Sequence, residues 1–255
     1  APFIEAVFDT IPDETKRIPF SIADRSLRGK SALIDTFFSI LELSKCRFSV
    51  SEVLAVLEDE AVQRRFGLNE QDLDLILHWI DKTGIRWGMD KSDRERQNLP
   101  AFEENTWRAG LNRLLLGYAL PKSSQSFLFQ GILPFDEIEG SDTLVLGKFI
   151  TFIENLFNCV QSLDMSQSLT DWATFLMGVL EGFFSPDENS EAEAQEIRRV
   201  LNSLVENSNR AEFKEQVSRE VMLAYLGHYL ENEPLPSNFL TGYMSFCAML
   251  PMRSI

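Results

Sequence analysis

The residues with the most to offer chemically are Gly29-Lys30-Ser31. A phosphate-cradling P-loop reads GxxxxGK[ST]: its glycines turn backbone N–H groups inward and its lysine reaches the terminal phosphates. The triplet fits, but the first glycine position is Asp24, whose carboxylate would repel a phosphate. The stretch therefore reads as a basic helix entry. Asp136, Glu137, Glu139 and Asp142 form an acidic cluster of the kind that attracts a divalent cation. Their spacing imposes no inward geometry, and Ser141-Asp142 suits a helix start. His78, among Leu75, Leu77 and Trp79, reads as a helix-face histidine. His228 sits near a helix C-terminus, where a cation is favourable. Cys46 has no nearby histidine to make a nucleophile pair. Trp87 and Trp107 have rings that could stack on bases, yet packing is the default for both. The basic turn Arg25, Arg28 and Lys30, with Arg64 and Arg65, offers phosphate contacts. No catalytic constellation, cofactor site or metal site is expected.

The charge balance limits the partners. The 24 basic and 39 acidic residues leave a net −15, which argues against a free module gripping nucleic-acid phosphates with a broad basic face. It suits a solvated outer face or docking on basic surfaces. Cys46, Cys159 and Cys247 are few, odd in number and far apart, as for reduced thiols in a cytosolic protein. No apolar run approaches the roughly 18 residues of a membrane span.

Hydrophobic periodicity then supplies the elements. Pro2 to Ile11 reads as a short amphipathic helix and Ile18 to Ile22 as a strand. Ser31 to Leu43 has the apolar density of a core helix. Ser49-Val50-Ser51-Glu52 is a capping box opening a helix to Leu57. Glu60 to Phe66 ends at Gly67 as a C′ glycine, and Asn69 caps Glu70 to Thr83, which Gly84 stops. This helix–turn–helix rhythm lacks basic residues on its second helix, unlike a DNA-reading hairpin. Met89 to Leu99 reads as a charged loop, and Asn105 as the cap of Thr106 to Ala119. Pro121 to Gln125 reads as surface loop and Phe127 to Phe135 as packed extended chain. Ser141 caps a long helix to Leu163. Thr170 to Phe184, Glu191 to Glu206 and Ala211 to Leu230 follow, and Tyr243 to Ala248 is a last strand. Seven to nine helices thus lie between two short terminal strands. That order is expected of a mostly α, multi-helix domain inserted in a loop of an α/β domain. The chain starts without Met and stops at Ile255 just after a strand, so it reads as part of a longer protein.

The strand Ile18-Pro19-Phe20-Ser21-Ile22 resembles the one by which UvrD/RecB-type helicases leave their second RecA-like subdomain for an inserted helical subdomain. Phe246 to Ile255 occupies the place of their returning motif, roughly (L/V)-x-T-x-H-x-x-K-G-L. Ala248 stands for the Thr, Leu250 for the His, Arg253 for the Lys and Ser254 for the Gly, so the phosphate and nucleotide chemistry of the motif is lost. A closer resemblance is to the RecC family, the gamma subunits of exodeoxyribonuclease V. It is carried by Ala1 to Phe8, Ile22 to Arg25, Cys46-Arg47-Phe48, Arg65 to Leu68 and Gly84 to Gly88. Thr106-Trp107-Arg108, Leu114 to Ala119, Leu133 to Asp136 and Met249 to Ile255 complete it. It thins between Asp164 and Glu233.

The resemblance implies three parts: 1–30 and 236–255 as pieces of a RecA-like subdomain, and 31–235 as its helical insertion. It implies an inactive helicase-like region, without a cofactor, in a bacterial cytoplasmic complex. Its implied partners are RecB-like and RecD-like subunits, the rest of RecC, and DNA as duplex end and 3′ strand. The implied role is non-catalytic: DNA end processing, strand threading and subunit assembly in double-strand-break repair and recombination. The alternative is an autonomous DNA-binding module built on the turn from Arg25 to Lys30. Arg253 adds a further possible DNA contact.

Overall fold

The computed structural model describes residues 20–22, 31–120, 128–232 and 244–246. Among them are ten α-helices and one pair of short strands. The strands β1 (Phe20–Ile22) and β2 (Met244–Phe246) pair in parallel, with Phe20 opposite Met244 and Ile22 opposite Phe246. The expected helix from Pro2 to Ile11, the candidate contacts Arg25, Arg28, Lys30 and Arg253, and the motif positions Ala248, Leu250 and Ser254 lie outside the described residues.

The helices are α1 (Ala32–Glu42), α2 (Val50–Leu57), α3 (Glu60–Phe66), α4 (Glu70–Thr83), α5 (Lys91–Arg96) and α6 (Trp107–Ala119). After them come α7 (Asp142–Leu163), α8 (Leu169–Phe183), α9 (Glu191–Arg210) and α10 (Arg219–Asn232). The most central is α7, which packs against α1, α3, α4 and α6. It buries Phe149, Phe152, Ile153, Leu156, Phe157 and Leu163. By length and hydropathy alone α7 would pass for a membrane span, but half of its apolar window is buried in the protein. It is the core helix of the body. A second group is formed by α8, α9 and α10, joined to the first through α1 and α3.

Local chemistry sets the helix ends. Ser31 accepts from Ile34 N at 3.1 Å and starts α1, so the serine of Gly-Lys-Ser is a buried helix cap. The capping box at Ser49 forms in full, with Ser49 N donating to Glu52 Oε2 at 2.7 Å. Asn69 and Asp72 make a second box. Gly67 and Gly84 take left-handed φ of 64° and 75°, as helix-stopping glycines do.

Several expectations need correction. Met89 to Leu99 contains a helix, α5, capped by Asp90 on Asp93 N at 2.8 Å. It has no apolar stripe, so periodicity passes over it. Thr106 rather than Asn105 caps α6, accepting from Ala109 N at 3.2 Å, while Asn105 turns the chain at φ 63°. Ser141 precedes α7 but makes no side-chain cap. The last helix begins at Arg219, not Ala211. Its expected start is a link in which Val217 bridges to Gln167 and accepts from the Trp172 indole at 2.9 Å. In the stretch from Phe127, the chain from Leu128 is not uniformly packed. Phe129 and Ile132 exchange hydrogen bonds of 3.0 and 2.9 Å around Gln130 and Gly131. Both central residues have positive φ, 49° and 82°, the backbone of a two-residue hairpin turn. Phe135 is buried, whereas Leu128 and Leu133 are exposed.

Candidate functional site

The residues singled out for chemistry are, where described, used to hold the fold. Arg64 donates to Ser185 O at 3.0 Å and pairs with Glu60 and Asp187, and Arg65 donates to Gly182 O at 3.2 Å. These two cations tie α3 to the end of α8. His78 meets Glu137 at 3.4 Å, which docks the acidic loop on α4. Glu139 O accepts from Asp142 N at the start of α7. Among the described residues, no group of three or more His, Cys, Asp or Glu side chains is placed to hold a metal ion. Burial, with Glu52 and Glu42 nearby, pushes the Cys46 thiol up, and burial alone pushes Cys159 up to about 12. Neither thiol is set up as a nucleophile, which needs a lowered pKa.

The motifs far apart in sequence meet at one junction. Gly88 N donates to Arg47 O, and Val50 N to Arg86 O, at 2.9 and 3.0 Å. Arg86 N donates to Asn105 O, Trp107 N to Gly88 O and Arg108 N to Met89 O. The segments 47–50, 84–89 and 105–108 are thus laced together through their backbones. The Trp107 ring is fully buried, and its indole N–H donates to Phe48 O at 2.8 Å. That bond holds Phe48 at φ 54°, a left-handed conformation that an aromatic residue seldom adopts. Trp87 is half-buried under the Arg94 guanidinium, 4.0 Å from its ring centre. The same buried guanidinium donates to Phe102 O at 2.8 Å and Trp87 O at 3.2 Å. Arg108 makes a two-pronged pair with Glu154 on α7.

A second seam extends the junction. A Cβ on Gly110 would sit 2.1 Å from Ile85 Cγ1, and one on Gly117 would sit 1.6 Å from Phe135 O. Only glycine lets α6 lie this close to both neighbours. Phe135 N donates to Arg113 O at 2.9 Å, and Arg113 donates back to Leu133 O at 3.0 Å and Thr83 O at 2.7 Å. Sequence reasoning missed Arg94 and Arg113 as organising residues. A lone arginine in a charged run carries no signal of a buried stacking partner.

The surface that remains for recognition is apolar. One groove of about 360 Å³ lies between α6 and the hairpin turn, lined by Leu115, Leu116, Tyr118, Phe129 and Ile132 among others. Another of about 340 Å³ lies between the end of α9 and α10, with Phe213, Val217 and Val221 at its mouth. A third, of about 370 Å³, separates α7 and α8 over Gly178 and Gly182. These shapes suit protein contacts better than bond-making chemistry.

Comparison with known proteins agrees with this picture. Residues 30–234 match the family model described as RecBCD enzyme subunit RecC fourth domain. The chain is 31% identical over 255 residues to RecBCD enzyme subunit RecC of Escherichia coli (strain K12), covering 100% of the chain and 22% of that protein. It is 30% identical over 254 residues to the Haemophilus influenzae protein of the same name, with the same coverage of both. Against the Mycobacterium tuberculosis (strain H37Rv) protein it is 30% identical over 239 residues, 94% of the chain and 21% of the relative. The chain spans about a fifth of the length of these relatives. With a family model matched over most of its length, the chain belongs to the RecC fourth-domain family.

Proposed function

We propose that the chain serves as a non-catalytic structural and DNA-handling part of a RecC subunit in a bacterial, cytoplasmic RecBCD helicase–nuclease. In this reading it helps hold RecB and RecD together with the rest of RecC. It works on DNA ends in break repair and recombination, without a cofactor of its own. The observation that carries the reading is the junction. The polar and aromatic side chains of the family-bearing motifs bind other segments of the same domain, as at Trp107, Arg94, Arg108 and Arg113. The parallel pairing of β1 with β2 supports an inserted helical body, since chain entry and exit lie side by side. The replacements Ala248, Leu250 and Ser254 support an inactive helicase-like region.

ATP hydrolysis by the purified chain, with and without DNA, tests this. No turnover above buffer is expected, and turnover abolished by Lys30→Ala would overturn the reading. Salt-sensitive binding of a short single strand, lost on replacing Arg25, Arg28 and Lys30 by Ala, would favour an autonomous DNA-binding module instead.

A further inference from the structure

We propose that the apolar face made by the C-terminal half of α6 and the 128–133 hairpin is a permanent docking surface for another domain of the same polypeptide. The inference rests on reading the chain as one domain of RecC. Leu115, Tyr118, Leu128 and Leu133 are 41%, 59%, 61% and 44% exposed, and Phe129 is 38% exposed. Large apolar side chains scattered singly need no explanation, but a contiguous group does. These residues gather on one helix end and the hairpin beside it, around the groove of about 360 Å³.

The face is rigid before anything binds. Gly117 seats α6 directly on the Phe135 backbone, and Arg113 fixes Leu133 O from the other side. The turn is closed by both Phe129–Ile132 bonds. A preorganised apolar face loses little freedom when covered.

Charge and chain length identify the occupant. No charged side chain lines the groove; Asn112 and Gln130 are its polar members. A partner that arrives by diffusion is commonly steered by complementary charge, and permanent interfaces are the more apolar ones. The matched family is a fourth domain, and the relatives extend far beyond the 22% that the chain spans. Neighbouring domains on one polypeptide are present at an effective concentration in the millimolar range from synthesis onward. A separate subunit would leave the face bare until assembly.

The test uses the full-length RecC polypeptide with the photo-crosslinker benzoylphenylalanine in place of Tyr118 and, separately, of Phe129. Each is irradiated alone at low concentration and again with RecB and RecD. At both positions the isolated polypeptide is expected to crosslink internally, to peptides outside these 255 residues, with a yield changed less than twofold by the other subunits. A band of twice the mass, crosslinks that appear only with RecB or RecD, or no crosslink at either position would overturn the proposal. Capture of RecB and RecD by the same preparations reads the scaffold role separately, so failure of one reading is distinguishable from failure of the other.

Discussion

The junction around α6 and the outer layer of α8 to α10 are both helical, yet they are held together by different rules. In the junction, glycines sit where no Cβ fits, an indole donates to one particular carbonyl, and a buried guanidinium stacks on one tryptophan. In the outer layer, α8 and α9 pack through ordinary amphipathic stripes such as Leu176, Val179 and Leu180 against Ile197, Val200 and Leu201. Gly178 and Gly182 there face open space. The first arrangement has few sequence solutions and the second has many. That difference explains why the recognisable motifs crowd into the first half and thin after Asp164.

Paired substitutions at glycine break or sharpen this contrast. Gly117→Ala drives a methyl into the Phe135 carbonyl, which is backbone and cannot swing aside. We expect a loss of about 3 kcal/mol or more, read by chemical denaturation of the chain. Trp107→Phe keeps most of the ring but leaves Phe48 O without its buried donor, and should cost about 1–3 kcal/mol in the same assay. Cys159, at the edge of the outer layer, gives a pH test. Its pKa rises from 9.0 in the unfolded chain to about 12 in the fold. The unfolded chain therefore releases the proton first, so its contribution is complete below pH 9 and is lost as pH rises toward 12. Wild type should lose stability faster than Cys159→Ala above pH 9, by about 1.4 kcal/mol per pH unit at most. Smallest, and opposite in sign, is Gly178→Ala, which meets nothing and favours helix. It should stabilise by up to about 1 kcal/mol. Equal losses at Gly117 and Gly178 would remove the distinction between the two regions.

Most of the helical frame was legible because its signals are local. Ser49, Asn69, Gly67 and Gly84 act within a few residues of themselves, and the structure places them as caps and stops. Charge patterns misled where satisfaction is also local but not apolar. In α5, Asp90 and Asp93 bond to the backbone and leave no hydrophobic period. The start of α10 was misplaced because Ala211 to Ser218 is held by distant partners, Gln167 and Trp172. The junction itself was visible only as separate motifs. Nothing in Arg94 or Arg113 announces which carbonyls they reach across 8 to 31 positions.

The central claim is that this domain acts by holding its neighbours rather than by chemistry of its own. The most direct measurement is reconstitution of full-length RecC carrying Gly117→Ala with RecB and RecD, followed by quantitation of the intact complex. The account predicts that breaking the junction sharply lowers the yield of complex, and that DNA-end processing per intact complex stays at the wild-type level. Wild-type assembly with processing abolished would contradict it, because the domain would then be acting in the reaction and not in the frame.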